Sequence, residues 1–167
     1  APALPLAIFS LGQSRGGGNI ENLGPKPRVG ISDDYAAYKN AFDFHQLCWA
    51  HPLRKLKDLA TSEVLSKRQR ETCFASWQTF NLIHEKLKKQ LAKPFAPLQR
   101  ARARMRLMKS FLAATNPNVA DPPKLAALKE RATQVAANYF TCLDFEGIPT
   151  TNNKAERALR HLVIKRG

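Results

Sequence analysis

Gly147-Ile-Pro-Thr-Thr-Asn-Asn-Lys-Ala-Glu-Arg-Ala-Leu-Arg-His-Leu-Val-Ile-Lys-Arg166 lies almost at the end of the chain and sets how the rest is organised. Gly147 and Pro149 stop whatever precedes them. Asn152 and Asn153 are strong helix N-cap residues, because a short polar side chain there accepts an orphan backbone N–H. From Lys154 the spacing predicts a helix with Ala155, Ala158, Leu159, Leu162 and Val163 as its apolar stripe. Glu156, Arg157 and Arg160 fall in its first two turns. With Asn153 as N-cap, Glu156 occupies N3, the reciprocal position of a capping box, and local pattern alone favours that role. A carboxylate held beside the stripe among fixed cations also suits a metal-dependent phosphoryl-transfer site, and a capped helix is a rigid support for a ligand. Both readings stand at this point.

Charge narrows the partner. The chain carries 27 Lys+Arg against 13 Asp+Glu, a formal net charge of +14. That excess favours a polyanion, most simply DNA or RNA. An anionic membrane surface competes for the same charge, but the basic residues are spread over several predicted helices, and no membrane partner is expected. At 167 residues the chain is one ordinary domain or a large piece of one. Its 44% hydrophobic content excludes a disordered chain. Cys48, Cys73 and Cys142 are odd in number and far apart, so no disulfide framework is expected and a reducing cytoplasm is the expected location. No apolar run approaches the ~20 residues that span a bilayer. Ala1–Leu11 is apolar but lacks the basic start of a signal peptide. The chain opens on Ala and stops on Gly167 just after a helical run, so both ends are expected to be cut.

In order along the chain, Leu6–Leu11 reads as a short strand, followed by the turn Ser14-Arg-Gly-Gly-Gly18. Arg28–Ser32 reads as a second strand ending at Asp33-Asp34. A carboxylate at the C-terminal end of a strand in an α/β sheet is well placed for a metal ligand. The same pair could instead start a helix over Tyr35–Phe42 as N-cap and first-turn acid. Phe44–Ala50 alternates as a third strand, and a basic helix is predicted near Leu53–Leu59. His45, Cys48 and His51 have the donor types for zinc but no fourth partner, and alternate strand residues diverge.

A long helical stretch follows. Ser66–Ala92 sets Phe74, Trp77, Phe80, Ile83, His84, Leu87 and Leu91 on one face, with His84 a packed histidine. Leu98–Ala114 sets Leu98, Ala101, Met105, Met108 and Leu112 on its core face, surrounded by Arg100, Arg102, Arg104, Arg106 and Lys109. Lys124–Leu143 continues with Leu125, Leu128, Ala132, Val135 and Tyr139. These stripes predict a helical core. The arginines are candidates for the DNA backbone.

The words on either side of this stretch carry a resemblance. Asn152-Asn-x-x-Glu156-Arg-x-Leu-Arg160 after Gly147-x-Pro149 resembles the block that bears the last acid in DDE transposases of the insertion sequence 66 family. Gly30-Ile-Ser-Asp-Asp-Tyr-Ala-Ala-Tyr38, with Gln46-Leu-Cys-Trp-Ala-His51-x-x-Arg54, is similar to the region of that family's second aspartate. The likeness runs in register from about Ser10 to Arg166, strong in the two blocks and weak between them. It implies an α/β, mostly helical fold: a partial ribonuclease-H-like sheet, with strands near 6–11, 28–32 and 44–50, and a long helical insertion before the Glu-bearing helix. The expected partition is 1–59 core, 60–146 insertion and 147–167 core helix.

By the resemblance, three acids bind two Mg2+ or Mn2+ ions for in-line attack at phosphorus. Asp33 matches the second acid and Glu156 the third, with Asp34 the alternative if the register shifts by one. The first acid has no match, which implies a truncated piece of the catalytic domain, inactive by itself. Arg54, Arg100, Arg102, Arg104, Arg106, Arg157 and Arg160 are the expected DNA contacts, and a homo-oligomer is compatible with the intact enzyme. If the two opening strands are missing, Arg28–Ser32 and Phe44–Ala50 pair in parallel. Leu6–Leu11 is then left poorly docked or paired with the edge of Arg28–Ser32. The alternative from another class is a non-catalytic basic helical nucleic-acid-binding protein. Either reading predicts that affinity for a DNA duplex falls at least about tenfold between ~50 and ~200 mM salt. A binding curve unchanged across that range would remove DNA as the partner.

Overall fold

The computed structural model describes residues 6–8, as backbone alone, together with 29–33 and 43–152. Three strands form one parallel sheet in the order β1-β2-β3: β1 (Leu6–Ile8), β2 (Val29–Ser32) and β3 (Phe44–Leu47). Leu6 lies opposite Val29, and Val29 opposite Phe44. The expected parallel pairing of the second and third strands is present, and β1 takes the other edge of β2. Every residue of β2 is buried. That is the signature of a central parallel strand covered on both faces. Arg28 and residues 9–11 lie outside the described residues.

Among the described residues four α-helices follow: α1 (Ala50–Ala60), α2 (Lys67–Ala92), α3 (Pro97–Ala114) and α4 (Pro123–Gln134). The third strand stops at Leu47 rather than Ala50, because His51-Pro52 enters the first turn of α1, where proline's missing N–H costs nothing. Ser66 caps α2 through a full capping box with Gln69. Pro97 opens α3 at its first turn. Helix α1 packs on α2, and α2 on α3. Lys57 reaches over the Trp77 ring between the first pair, 5.1 Å from its centroid. The Lys129 ammonium lies 2.8 Å from the nearly inaccessible Asp121 carboxylate and also donates to the Asn116 carbonyl, tying the α3–α4 loop to α4. No helix among the described residues is long and apolar enough to cross a membrane.

Two further expectations need correction. The predicted helix over Lys124–Leu143 ends at Gln134 and gives way to two 3₁₀ turns, Ala136–Tyr139 and Thr141–Asp144. The cause is hydrogen bonding from the sheet: Gln46 Nε2 donates to the Tyr139 carbonyl at 3.0 Å, and the Cys142 N–H donates to Gln46 Oε1 at 2.7 Å. Backbone groups that a helix would have used are satisfied by a strand side chain instead. Leu125, Ala132, Val135 and Tyr139 are nonetheless buried as expected.

The core face of α3 is also rotated from its predicted position. Arg100, Ala103, Leu107 and Phe111 are buried, whereas Leu98, Met105 and Leu112 are exposed. This helix carries two apolar stripes, and the one containing Phe111 wins because an aromatic ring buries more surface than Met or Leu. The ring of Phe111 meets Trp49, Phe80, Tyr139 and Phe140. One hydrophobic core joins Val29 and Ile31 of the sheet to Phe80 and Phe111 of the helices.

These placements separate the two stripes by experiment. Phe111→Ala is expected to destabilise the fold by about 3–5 kcal/mol through the cavity it leaves. Met105→Ala should change stability by no more than about 0.5 kcal/mol. Chemical denaturation of both variants checks the face directly.

Candidate functional site

Asp33 is the first residue after β2 and is exposed. Just beside it, the Cys48 N–H donates to the Ser32 carbonyl at 2.9 Å, carrying the β2–β3 ladder to the ends of both strands. The C-terminal edge of the sheet therefore presents Asp33 next to Cys48. That edge is where ligands collect in parallel α/β sheets.

A second segment is fastened to the same edge. Gly147 has φ = 82°, a left-handed conformation that L side chains rarely adopt, and turns the chain back after the 3₁₀ turns. Ile148, Thr150 and Asn152 are then buried in alternation. The Trp49 N–H donates to the Thr150 carbonyl at 3.0 Å. The Cys48 thiol donates to Asn152 Oδ1 at 3.4 Å. From α2, His84 Nε2 and Thr150 Oγ1 share a hydrogen bond of 2.7 Å. Three residues, two from the β3–α1 junction and one from α2, thus hold Thr150–Asn152, the residues that precede Glu156 in sequence. Glu156 itself lies outside the described residues, as do Asp34, Arg157 and Arg160.

Burial governs the electrostatics of this clamp. It raises the Cys48 thiol above its ordinary range, and the Asp33 charge adds to the rise while backbone hydrogen bonds oppose it. The thiol is therefore a hydrogen-bond donor to Asn152 at neutral pH and is not a nucleophile. Burial also lowers His84 to about 4, with Lys88 adding to the shift and Glu85 opposing it. The neutral ring stacks on Trp49, with centroids 5.2 Å apart and planes 10° from parallel. The packed histidine expected from the sequence is present, with a specific partner that the sequence did not indicate.

The expected basic set divides. Arg54 is exposed on α1, and Arg102 and Arg106 are exposed on α3 with Lys109. Arg104 is half-buried and ion-paired with Asp144. Arg100 leaves the set: it is 4% exposed, donates to the Phe145 and Cys142 carbonyls at 2.9 and 3.3 Å, and lies over the Phe95 ring. Helical periodicity explains the split, since 100 and 104 share the side facing the 3₁₀ turns while 102, 106 and 109 turn outward. His45, Cys48 and His51 do not come together around a metal. Among the described residues no group of three or more His, Cys, Asp or Glu could hold one.

The profile of the family described as Transposase IS66 family matches residues 1–167, the full length of the sequence. The chain belongs to that family. No curated protein and no solved structure matches it. Within this IS66-family chain, sequence reasoning placed Asp33 at a strand end but missed the hydrogen bonds of Gln46, Trp49, His84 and Thr150. The available signal was Gln46-Leu-Cys-Trp49 itself, since an amide and an indole on a buried strand end must find hydrogen-bond partners.

His84 gives the clamp a pH dependence whose sign follows from its shift. Above pH 6.5 the ring is neutral in folded and unfolded chains alike. As pH falls from 6.5 toward 4, the unfolded chain takes up a proton that the folded chain refuses, so stability drops through that window. His84→Gln is expected to flatten the fall, measured as denaturation midpoints against pH. An unchanged slope would mean that the ring titrates normally.

Proposed function

We propose that the chain is part of the catalytic domain of a DNA transposase, built on a ribonuclease-H-like sheet, in which Asp33 and Glu156 are two of the acids that hold divalent cations. The observation that supports this reading is the attachment of Thr150–Asn152 to Cys48 and Trp49, just past the end of β3, where the Cys48 N–H also meets Ser32, the residue before Asp33. Asn152 is only four residues before Glu156 in sequence, a spacing compatible with a Glu carboxylate near that edge. Asp33 fits the role: it is an exposed carboxylate at a strand end, a hard oxygen donor of the kind Mg2+ and Mn2+ prefer. When bound, such ions activate the attacking oxygen and stabilise the leaving one.

The chain's own residues supply position and charge. The buried clamp fixes Thr150–Asn152, and holding the chain close to a reacting group lowers the ordering that catalysis requires. Arg54, Arg102 and Arg106, with Arg157 and Arg160 from the sequence, offer cations to a DNA backbone. Arg104 contributes less because Asp144 already neutralises it.

The alternative reading, a basic helical nucleic-acid-binding protein without this chemistry, is favoured by the separate outward face of Arg102, Arg106 and Lys109 on α3. Metal dependence separates the two. Mn2+ titration followed by electron paramagnetic resonance should show binding that weakens at least about tenfold in Asp33→Asn and in Glu156→Gln, a loss at the low end of that seen for outer-shell changes. Both variants should keep the wild-type affinity for duplex DNA. Binding of Mn2+ that ignores both substitutions would leave the acids with capping roles alone.

A further inference from the structure

Helices α1 and α4 enclose a groove of about 550 Å3 that none of the preceding roles uses. Its rim carries Lys55 from α1 and Lys124 and Arg131 from α4, all exposed. Asp58 is the one acid among its described lining residues. Below the rim the surface turns apolar, through Pro52, Leu59 and Leu128. The volume lies in the range of about 300–1,000 Å3 typical of pockets for small organic ligands, so it accepts a nucleotide-sized group and not merely a solvent ion.

The groove is linked through the backbone to the edge that bears Asp33. His51 and Tyr139 line one end of it. The His51 N–H donates to the Cys48 carbonyl, and the Cys48 N–H donates to Ser32, the residue before Asp33. The charge of Asp33 contributes to the raised pKa of Tyr139, after burial and Cys48.

We infer that this groove receives an unpaired segment of DNA, its phosphates on Lys55, Lys124 and Arg131 and its sugars and bases against the apolar floor. The inference rests on the reading of the chain as a DNA-handling domain and adds a substrate form to it. Two features select a single strand over a duplex. A duplex keeps its bases stacked inside and would bring only phosphates to the rim, leaving the apolar floor unmatched. An unpaired strand presents charge and flat apolar surface together, the combination that cationic grooves for single strands recognise. Concavity argues against a lipid surface, which is flat on this scale. The groove is distinct from the outward face of α3, which has no such recess.

Fluorescence anisotropy with a short labelled oligothymidylate and a blunt duplex, at several salt concentrations, tests the inference. The combined variant Lys55→Gln, Lys124→Gln, Arg131→Gln should weaken single-strand binding at least about tenfold and lower its salt slope by about 2, since each phosphate contact contributes ~0.7. Duplex affinity, carried by Arg102 and Arg106, should fall much less. Ala127→Phe fills the groove from an exposed position and keeps every charge. It should weaken the single strand and spare the duplex. All of these positions are exposed, so thermal unfolding should match wild type and rule out misfolding. Equal losses on both DNA forms, no effect of Ala127→Phe, or displacement of the oligonucleotide by poly-glutamate at equal charge would overturn the groove assignment. If wild type bound neither DNA form, the DNA-handling reading itself would fall; duplex binding with an indifferent single strand would defeat only the groove.

Discussion

The indole of Trp49 joins the sheet, the helices and the segment before Glu156 at one buried point. Its Nε1 donates to the Tyr139 carbonyl at 2.9 Å, while its backbone N–H donates to Thr150. Its ring stacks on His84 and meets Phe111, Tyr139 and Phe140 at steep angles. A fully buried Trp is stable only where its N–H has a partner, and here the partner is a carbonyl freed by the end of a helix. Gln46 meets the same need one pleat earlier, taking the Tyr139 carbonyl and the Cys142 N–H. Together the two side chains account for why the chain leaves α-helix after Gln134 and returns to the sheet. A partly satisfied network of this kind would cost more than an apolar core, so its members are expected to tolerate little change.

Charge and position combine differently at three places. On α3 the cations of Arg102, Arg106 and Lys109 stand in water, where any anion they meet gains chiefly through counterion release. Arg100 is a structural cation that holds two carbonyls of the last 3₁₀ turn and its exit. In the groove between α1 and α4, cations rim an apolar recess, which adds shape to charge. A single count of +14 for the chain does not distinguish these environments.

Much of the architecture was legible in the sequence because it depends on local rules. Strands near 28–32 and 44–50 and helices beginning near 66 and 98 were read from local pattern, and β2, β3, α2 and α3 lie there. What was not legible depends on long-range partners. The correct face of α3 could not be chosen from periodicity alone, since both of its stripes are apolar and only Trp49, Phe80 and Tyr139 decide between them. Arg100 looked like one more surface cation because its carbonyl partners lie far along the chain. The candidate site was half legible: the place of Asp33 at a strand end follows from its strand, whereas the clamp on Thr150–Asn152 needs Cys48, Trp49 and His84 to be brought together by folding.

We propose that this clamp brings the predicted Glu156 segment to Asp33. The most direct test replaces both acids, as Asp33→Cys with Glu156→Cys, and treats the protein with a short bifunctional thiol reagent. Cys48, Cys73 and Cys142 are buried, with pKa values raised by burial, so they should remain unreactive in the folded state. The account predicts an intramolecular cross-link between positions 33 and 156, identified by peptide mass, that is lost when Thr150 and Asn152 are both replaced by Ala. Modification of both introduced thiols without a cross-link between them would contradict it.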